Sequence, residues 1–176
     1  LGPNYAGNNR LAPDIELRNL AGVTRRLSSY RGRTVVLVFW STTCQVCKQQ
    51  MPALAQLADL LKNDERFAMV TVAVDDNQQQ VEQSLMATIG TTSAFPVLLD
   101  GESKFVLGRY GTRLFPETWV IDPQGTIRAR FDGLRDWASA TAFDLLLSIH
   151  QGDSCPLELS GGLAVGKGAR VCKSTD

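Results

Sequence analysis

Two kinds of apolar pattern alternate along the chain. Thr34-Val-Val-Leu-Val-Phe-Trp40 and residues 67–74 are continuous, valine-rich apolar runs. Short runs of this kind suit strands buried on both faces of a parallel or mixed sheet. Between them, 44–62 repeats Leu54, Leu57, Ala58 and Leu61 at helical spacing, with a kink expected at Pro52. Strand, helix and strand in that order form a right-handed βαβ unit. Upstream, residues 12–17 read as a short edge strand, and 23–27 pair back across a turn at Gly22. Downstream, 77–89 is a second helix stopped by Gly90, and 96–99 is a short strand closed by Asp100-Gly101. Residues 102–110 are expected to form a short helix ending near Gly111. Residues 118–121 and 126–131 flank Asp122-Pro-Gln-Gly125, which is turn chemistry for an antiparallel hairpin. Residues 135–149 form the closing helix. The expected architecture is α/β with a central mixed sheet. Its organisation is a loose lead-in over 1–11, a folded unit over 12–149, and a glycine-rich tail over 150–176.

Composition narrows the partners. With 44% apolar and 20% charged residues in 176, the chain can bury a proper core. Eighteen basic residues balance eighteen acidic ones, so nothing pulls the molecule toward nucleic acid or an anionic membrane. Arg25, Arg26, Arg31 and Arg33 read as a solvated loop before a strand. No apolar run approaches the roughly 20 residues that span a bilayer. The opening Leu1-Gly2-Pro3, with no starting Met and no charged-then-apolar leader pattern, fits a chain that is either processed or trimmed, and is compatible with a removed export signal or anchor. A single histidine, His150, excludes a two-histidine metal site and stands about a hundred residues from Cys44, which disfavours a Cys–His nucleophile pair.

Cys44 and Cys47 carry the chemistry. They form Cys-x-x-Cys directly after the first apolar strand and at the start of the helical pattern. A helix start offers unpaired N–H groups and partial positive charge, which favour a thiolate. Cysteines three apart share a helix face and can bridge. Cys44, at the helix start, is expected to attack; Cys47, one turn further in, is expected to resolve the mixed disulfide. Asp75 and Asp76 end the neighbouring strand, where a carboxylate can accept the proton released by Cys47. Phe115-Pro116 and Phe95-Pro96 are equal candidates, on residues alone, for a cis-proline ledge that receives an extended substrate. A zinc site pairing these thiols with Cys155 and Cys172 is disfavoured, because the second pair lacks knuckle spacing.

Three stretches together resemble the TlpA/ResA/DsbE family of thioredoxin-fold proteins. They are Ala12-Pro13-Asp14…Leu17…Gly22; Val-Val-Leu-Val-Phe-Trp40-x-x-x-Cys44-x-x-Cys47…Met51-Pro52; and Phe115-Pro116-Glu117-Thr118-Trp119-Val120-Ile121-Asp122. The resemblance spans about 12–149. It implies a thioredoxin fold with an N-terminal β-hairpin and a helix-strand insert at 77–99. It implies Cys44 as nucleophile, Cys47 as resolving thiol, the cis-proline at Pro116, and Trp40, Phe115, Pro116 and Glu117 bordering the substrate. Relatives often carry a glutamate near the insert; the nearest match here is Asp76 or Asn77, of which Asp76 can serve as an acid–base residue. The family implies an exported or membrane-anchored protein that reduces disulfides in extracytoplasmic proteins, notably apocytochrome c. A membrane reductase would supply electrons, the protein would act as a monomer, and no cofactor or metal is expected. The chain departs from the family at Thr43, where a large aromatic is usual, and at Val46, where proline is common.

The tail falls outside the resemblance. Cys155 and Cys172 are expected to form a structural disulfide, since closing a loop of that size contributes about 3 kcal/mol that glycine-rich chain cannot gain by burial. Gly161-Gly-Leu-Ala-Val-Gly166-Lys167 imitates a phosphate loop, but Gly168 stands where a hydroxyl must hold magnesium. Two further readings compete. A peroxiredoxin needs proline and threonine where Leu37 and Ser41 stand. A copper chaperone suits soft thiolates, but His150 is the only histidine available to it.

Overall fold

The computed structural model describes residues 10–152 and two short strands at 158–160 and 163–165. The strands are β1 (Glu16–Asn19), β2 (Thr24–Arg26), β3 (Thr34–Trp40), β4 (Phe67–Ala73), β5 (Val97–Leu99), β6 (Glu117–Ile121) and β7 (Ile127–Asp132), with β8 (Glu158–Ser160) and β9 (Leu163–Val165) forming a separate pair. The helices are α1 (Gln45–Leu61), α2 (Gln78–Ile89) and α3 (Ala140–Gln151). The main sheet runs in the order β2-β1-β5-β4-β3-β6-β7. β3 lies parallel to β4, with Thr34 opposite Phe67 and Trp40 opposite Ala73, and antiparallel to β6.

Successive strand residues point to opposite faces, so β3 feeds two cores. Val36, Val38 and Trp40 pack with Cys47, Met51, Leu54, Leu57 and residues of α3. Val35, Leu37 and Phe39 pack on the other face with Val106, Tyr110 and Trp119. All seven residues of β3 and of β4 are buried, as their predominantly apolar runs require. Each large aliphatic side chain removed from water there contributes about 2 kcal/mol. This is the mixed, helix-flanked sheet of a thioredoxin fold, with α2 and β5 inserted after β4 and the β1–β2 hairpin attached through β5.

Local signals set most boundaries. Asn77 caps α2 by accepting from Gln80 N, and Gly90 ends it in the left-handed conformation at φ 73°. Pro52 lies inside α1, which continues through it although the ring cannot donate the bond that residue 52 would make. Three expectations are corrected. The first strand begins at Glu16 rather than at 12, because Asp14 turns its carboxylate to Ile15 N, Ser28 N and Ser28 Oγ. Residues 102–110 form a run of turns and no helix. The buried Asp100 carboxylate takes the N–H groups of Lys104, Phe105 and Val106, and Ser103 adopts φ 51°. The last helix starts at Ala140, where Ser139 accepts from Ala142 N, and not at 135. Cys155, Cys172 and most of the tail lie outside the described residues.

Candidate active site

Cys44 is the N-cap of α1, with extended backbone angles, and its sulfur accepts from Cys47 N at 3.0 Å. It is half-buried, whereas Cys47 is 1% exposed. The two are joined as a disulfide across a Cα separation of 5.2 Å. The strand β3 delivers Cys44 to the sheet's end, and α1 then carries Cys47 back over the core. One sulfur therefore faces outward and the other inward.

A second segment meets the exposed sulfur. The Phe115 carbonyl oxygen lies 3.5 Å from Cys44 Sγ, and the Phe115–Pro116 peptide is cis. Phe115 is half-buried, Pro116 is buried, and Leu114 beside them is 83% exposed. Gly133 N donates to the Pro116 carbonyl, and Arg135 N donates to Gln50 Oε1 at 3.0 Å. The 133–135 segment thus ties the proline loop to α1. Val46, 40% exposed, and Leu134, 48% exposed, add apolar surface on the segments around the disulfide.

The loop leading into Cys44 is held from β4. Asp75 accepts from Thr42 N at 2.9 Å, Thr42 Oγ1 at 2.6 Å and Ser41 Oγ at 3.1 Å. Thr43 N donates to Ser41 Oγ, and Cys44 N donates to the Ser41 carbonyl. Asp76, the expected proton acceptor, takes no part. It is exposed, makes no hydrogen bond to either cysteine, and its Oδ1 lies 2.6 Å from where a Cβ on Gly101 would stand. One step along the chain reverses the side to which the carboxylate points.

Two of the expected substrate contacts are corrected. Trp40 is 1% exposed and belongs to the core with Cys47. Glu117 is 1% exposed, and its carboxylate accepts from Thr112 Oγ1, from Arg130, and from Trp119 Nε1 at 3.2 Å. Burial pushes this carboxyl above its ordinary value; the Thr112 hydroxyl and the Arg130 guanidinium pull the other way and only reduce the shift. Neither side chain offers a surface to a ligand. Glu117 alternates with Thr118 on β6 and faces the core opposite α1, so its network props the proline loop from behind. His150 bonds Thr34 Oγ1 and packs on Phe67, at the far end of β3 and roughly 20 Å from Cys44. It cannot assist either thiol. Sequence reasoning missed Gln50, which is fully buried one turn beyond Cys47 with its Nε2 unpartnered. A polar residue at a core-facing helical position is the signal that marks it.

Residues 9–130 match the model of the AhpC/TSA family. Over 122 residues the chain is 34% identical to the thiol-disulfide oxidoreductase ResA of Geobacillus kaustophilus, covering 69% of this chain and 67% of that protein. The chain belongs to the TlpA/ResA/DsbE-like thiol–disulfide oxidoreductases. The thioredoxin-like protein YneN of Bacillus subtilis is 30% identical over 117 residues, or 66% of each chain. Among solved structures, a DsbE-type interchange protein of Chlorobium tepidum superposes with a TM-score of 0.71 at 24% identity, covering 81% of this chain and 97% of that one. The exposed lipoprotein thioredoxin Etrx1 of Streptococcus pneumoniae superposes with a TM-score of 0.63 at 26% identity, covering 77% and 99%. One outward and one inward sulfur suit dithiol exchange, in which the first attacks and the second resolves. The Pro and Thr of a peroxidatic site are replaced by Leu37, which is core, and Ser41, which is bound to Asp75.

Proposed function

We propose that the protein reduces disulfide bonds in extracytoplasmic proteins, with apocytochrome c as a candidate substrate. The observation that carries this reading is the Cys44 sulfur, half-exposed at a helix start and faced by the Phe115–Pro116 segment. In the dithiol form, the Cys44 thiolate attacks one sulfur of the substrate disulfide. A mixed disulfide forms, and the other substrate sulfur leaves as a thiolate. Cys47 then loses its proton and attacks Cys44, closing the protein's disulfide and releasing the second substrate thiol. Two electrons pass from the dithiol to the substrate. The inward placement of Cys47 keeps it from reacting with anything except Cys44.

The ResA and DsbE-type relatives and a lipoprotein thioredoxin neighbour support an extracytoplasmic location. A protein working outside the cytoplasm has no access to cytoplasmic reductants, so a membrane-bound donor must recharge it. The 150–176 tail is read as an appendage to the 12–149 unit, stapled by Cys155 and Cys172. An oxidising compartment favours such a staple. The protein is read as a monomer, with Phe115 and Pro116 as the substrate-facing residues.

The test is reduction of insulin by protein charged with dithiothreitol, with Cys155 and Cys172 replaced by serine. Cys44→Ser should abolish turnover, and Cys47→Ser should accumulate a mixed disulfide on Cys44. A potential near −270 mV, as in thioredoxin, supports a reductase; one near −120 mV, as in DsbA, makes the protein an oxidant and overturns the proposal.

A further inference from the structure

We propose that Asp75 is a positioning residue for Cys44, and that its charge biases the Cys44–Cys47 pair toward strong reducing power. The inference deepens the reductase reading and rests on it only for the direction of electron flow. Asp75 lies two residues beyond β4, just after Val74, whose N donates to the Trp40 carbonyl at the start of the 41–43 loop. Its two oxygens hold that loop by one backbone and two hydroxyl hydrogen bonds. Ser41, whose hydroxyl is held by Asp75, in turn accepts from Thr43 N and, through its carbonyl, from Cys44 N. Every residue between β3 and the N-cap is therefore referred to one carboxylate.

That carboxylate also brings a fixed negative charge close to the attacking sulfur. Two residues of chain reach at most about 7 Å, so a charge bonded to Thr42 N stands on the order of 10 Å from Cys44. At that range, with an effective dielectric of about 20 to 80, one negative charge lowers the thiolate population roughly 2- to 16-fold. The disulfide is neutral and the thiolate is not, so the charge disfavours the reduced form. A less stable reduced form gives up its electrons more readily. Asp75 thus opposes the helix start, which stabilises the thiolate. The other charges on the surrounding segments are Lys48 on α1, Asp76 after β4, Arg113 ahead of Phe115, the Glu117–Arg130 pair, Asp132, and Arg135. All are unchanged in the variants below, so their effects cancel in the comparison.

The experiment uses the full chain with Cys155 and Cys172 replaced by serine. The pKa of Cys44 is read from thiolate absorbance, and the dithiol–disulfide equilibrium is read against glutathione above that pKa. Asp75→Asn is expected to lower the Cys44 pKa and to shift the equilibrium 2- to 16-fold toward the dithiol, or roughly 9 to 36 mV at about 29.6 mV per tenfold. Asp75→Glu should stay closer to the wild type than Asp75→Asn does. Thr42→Val keeps the charge while removing one hydroxyl bond, and should leave the pKa where it is. If Asp75→Asn fails to fold, Asp75→Ser, also neutral and hydrogen-bonding, is read against the same wild-type value. An unchanged or raised pKa in the neutral variant overturns the proposal, as does an equal shift in Thr42→Val. An unreactive Cys44 in the wild type would instead sink the reductase reading, so the two failures are distinguishable.

Discussion

Glu117→Leu tests whether the wall behind the proline loop is held by a buried carboxylate. The wild-type carboxylate is 1% exposed and satisfies three donors. Leucine fills similar space but accepts nothing. Thr112, 2% exposed, and Trp119, 5% exposed, each lose a partner inside the core. Stranding a buried neutral donor costs about 1 to 3 kcal/mol. Arg130 keeps Asp132 at 3.1 Å and its place over the Trp119 ring, so its loss is smaller. The sum is a destabilisation of about 2 to 6 kcal/mol, which brackets the roughly 3 to 5 kcal/mol seen when one partner of a buried pair is removed. Urea unfolding near pH 5, followed by tryptophan fluorescence, measures it as a lower midpoint at similar slope. The pH dependence supplies a second reading. Because burial holds this carboxyl above its ordinary 4.5, the folded chain keeps the proton to higher pH than the unfolded chain. Its contribution to stability is complete below about 4.5 and is lost as pH rises through the raised native value. Glu117→Gln cannot titrate and should lack that fall. A Leu variant that loses less than about 1 kcal/mol, or Gln and wild-type profiles that run parallel, would refute the reasoning.

Further expectations follow from the same geometry. Leu57→Ala empties a fully buried position under α1 and should cost about 2 to 5 kcal/mol in chemical unfolding while leaving the redox potential unchanged. Gln50→Leu removes an orphan amide N–H2 and the acceptor of Arg135 N together; costs and gains of about 1 to 3 kcal/mol each should nearly cancel, and a loss above about 3 kcal/mol would contradict this. Leu114→Ser strips apolar surface that is 83% exposed beside Phe115, so KM for insulin reduction should rise several-fold while reduction of a small aromatic disulfide and the melting temperature stay constant.

Local chemistry made much of the molecule legible in one dimension. β3 and β4 appear as nearly continuous apolar runs because burial on both faces leaves room for a polar side chain only where it finds a partner, as Thr71 does in the Pro96 carbonyl. Asn77 and Gly90 bound α2 through bonds that reach only a few residues, and the Asp122–Gly125 turn closes on itself in the same way. The Cys44–Cys47 pair is legible for the same reason, since three residues on a helix bring the sulfurs together whatever the rest of the chain does. Residues 102–110 misled because the Asp100 side chain out-competes the helix for the backbone donors that follow it.

The rest of the site was settled only by tertiary structure. The Phe115 carbonyl reaches Cys44 from 71 residues away, and Gln50 reaches Arg135 across 85. Asp75 rather than Asp76 met the 41–43 loop, and Trp40 and Glu117 went inward. Which of two adjacent side chains faces a neighbour depends on sheet register and on what packs behind each strand, and a shift of one residue inverts every choice. Sequence alone therefore determined that a redox pair stands at a strand-to-helix junction. Which groups surround that pair was decided by the folding of distant segments onto it.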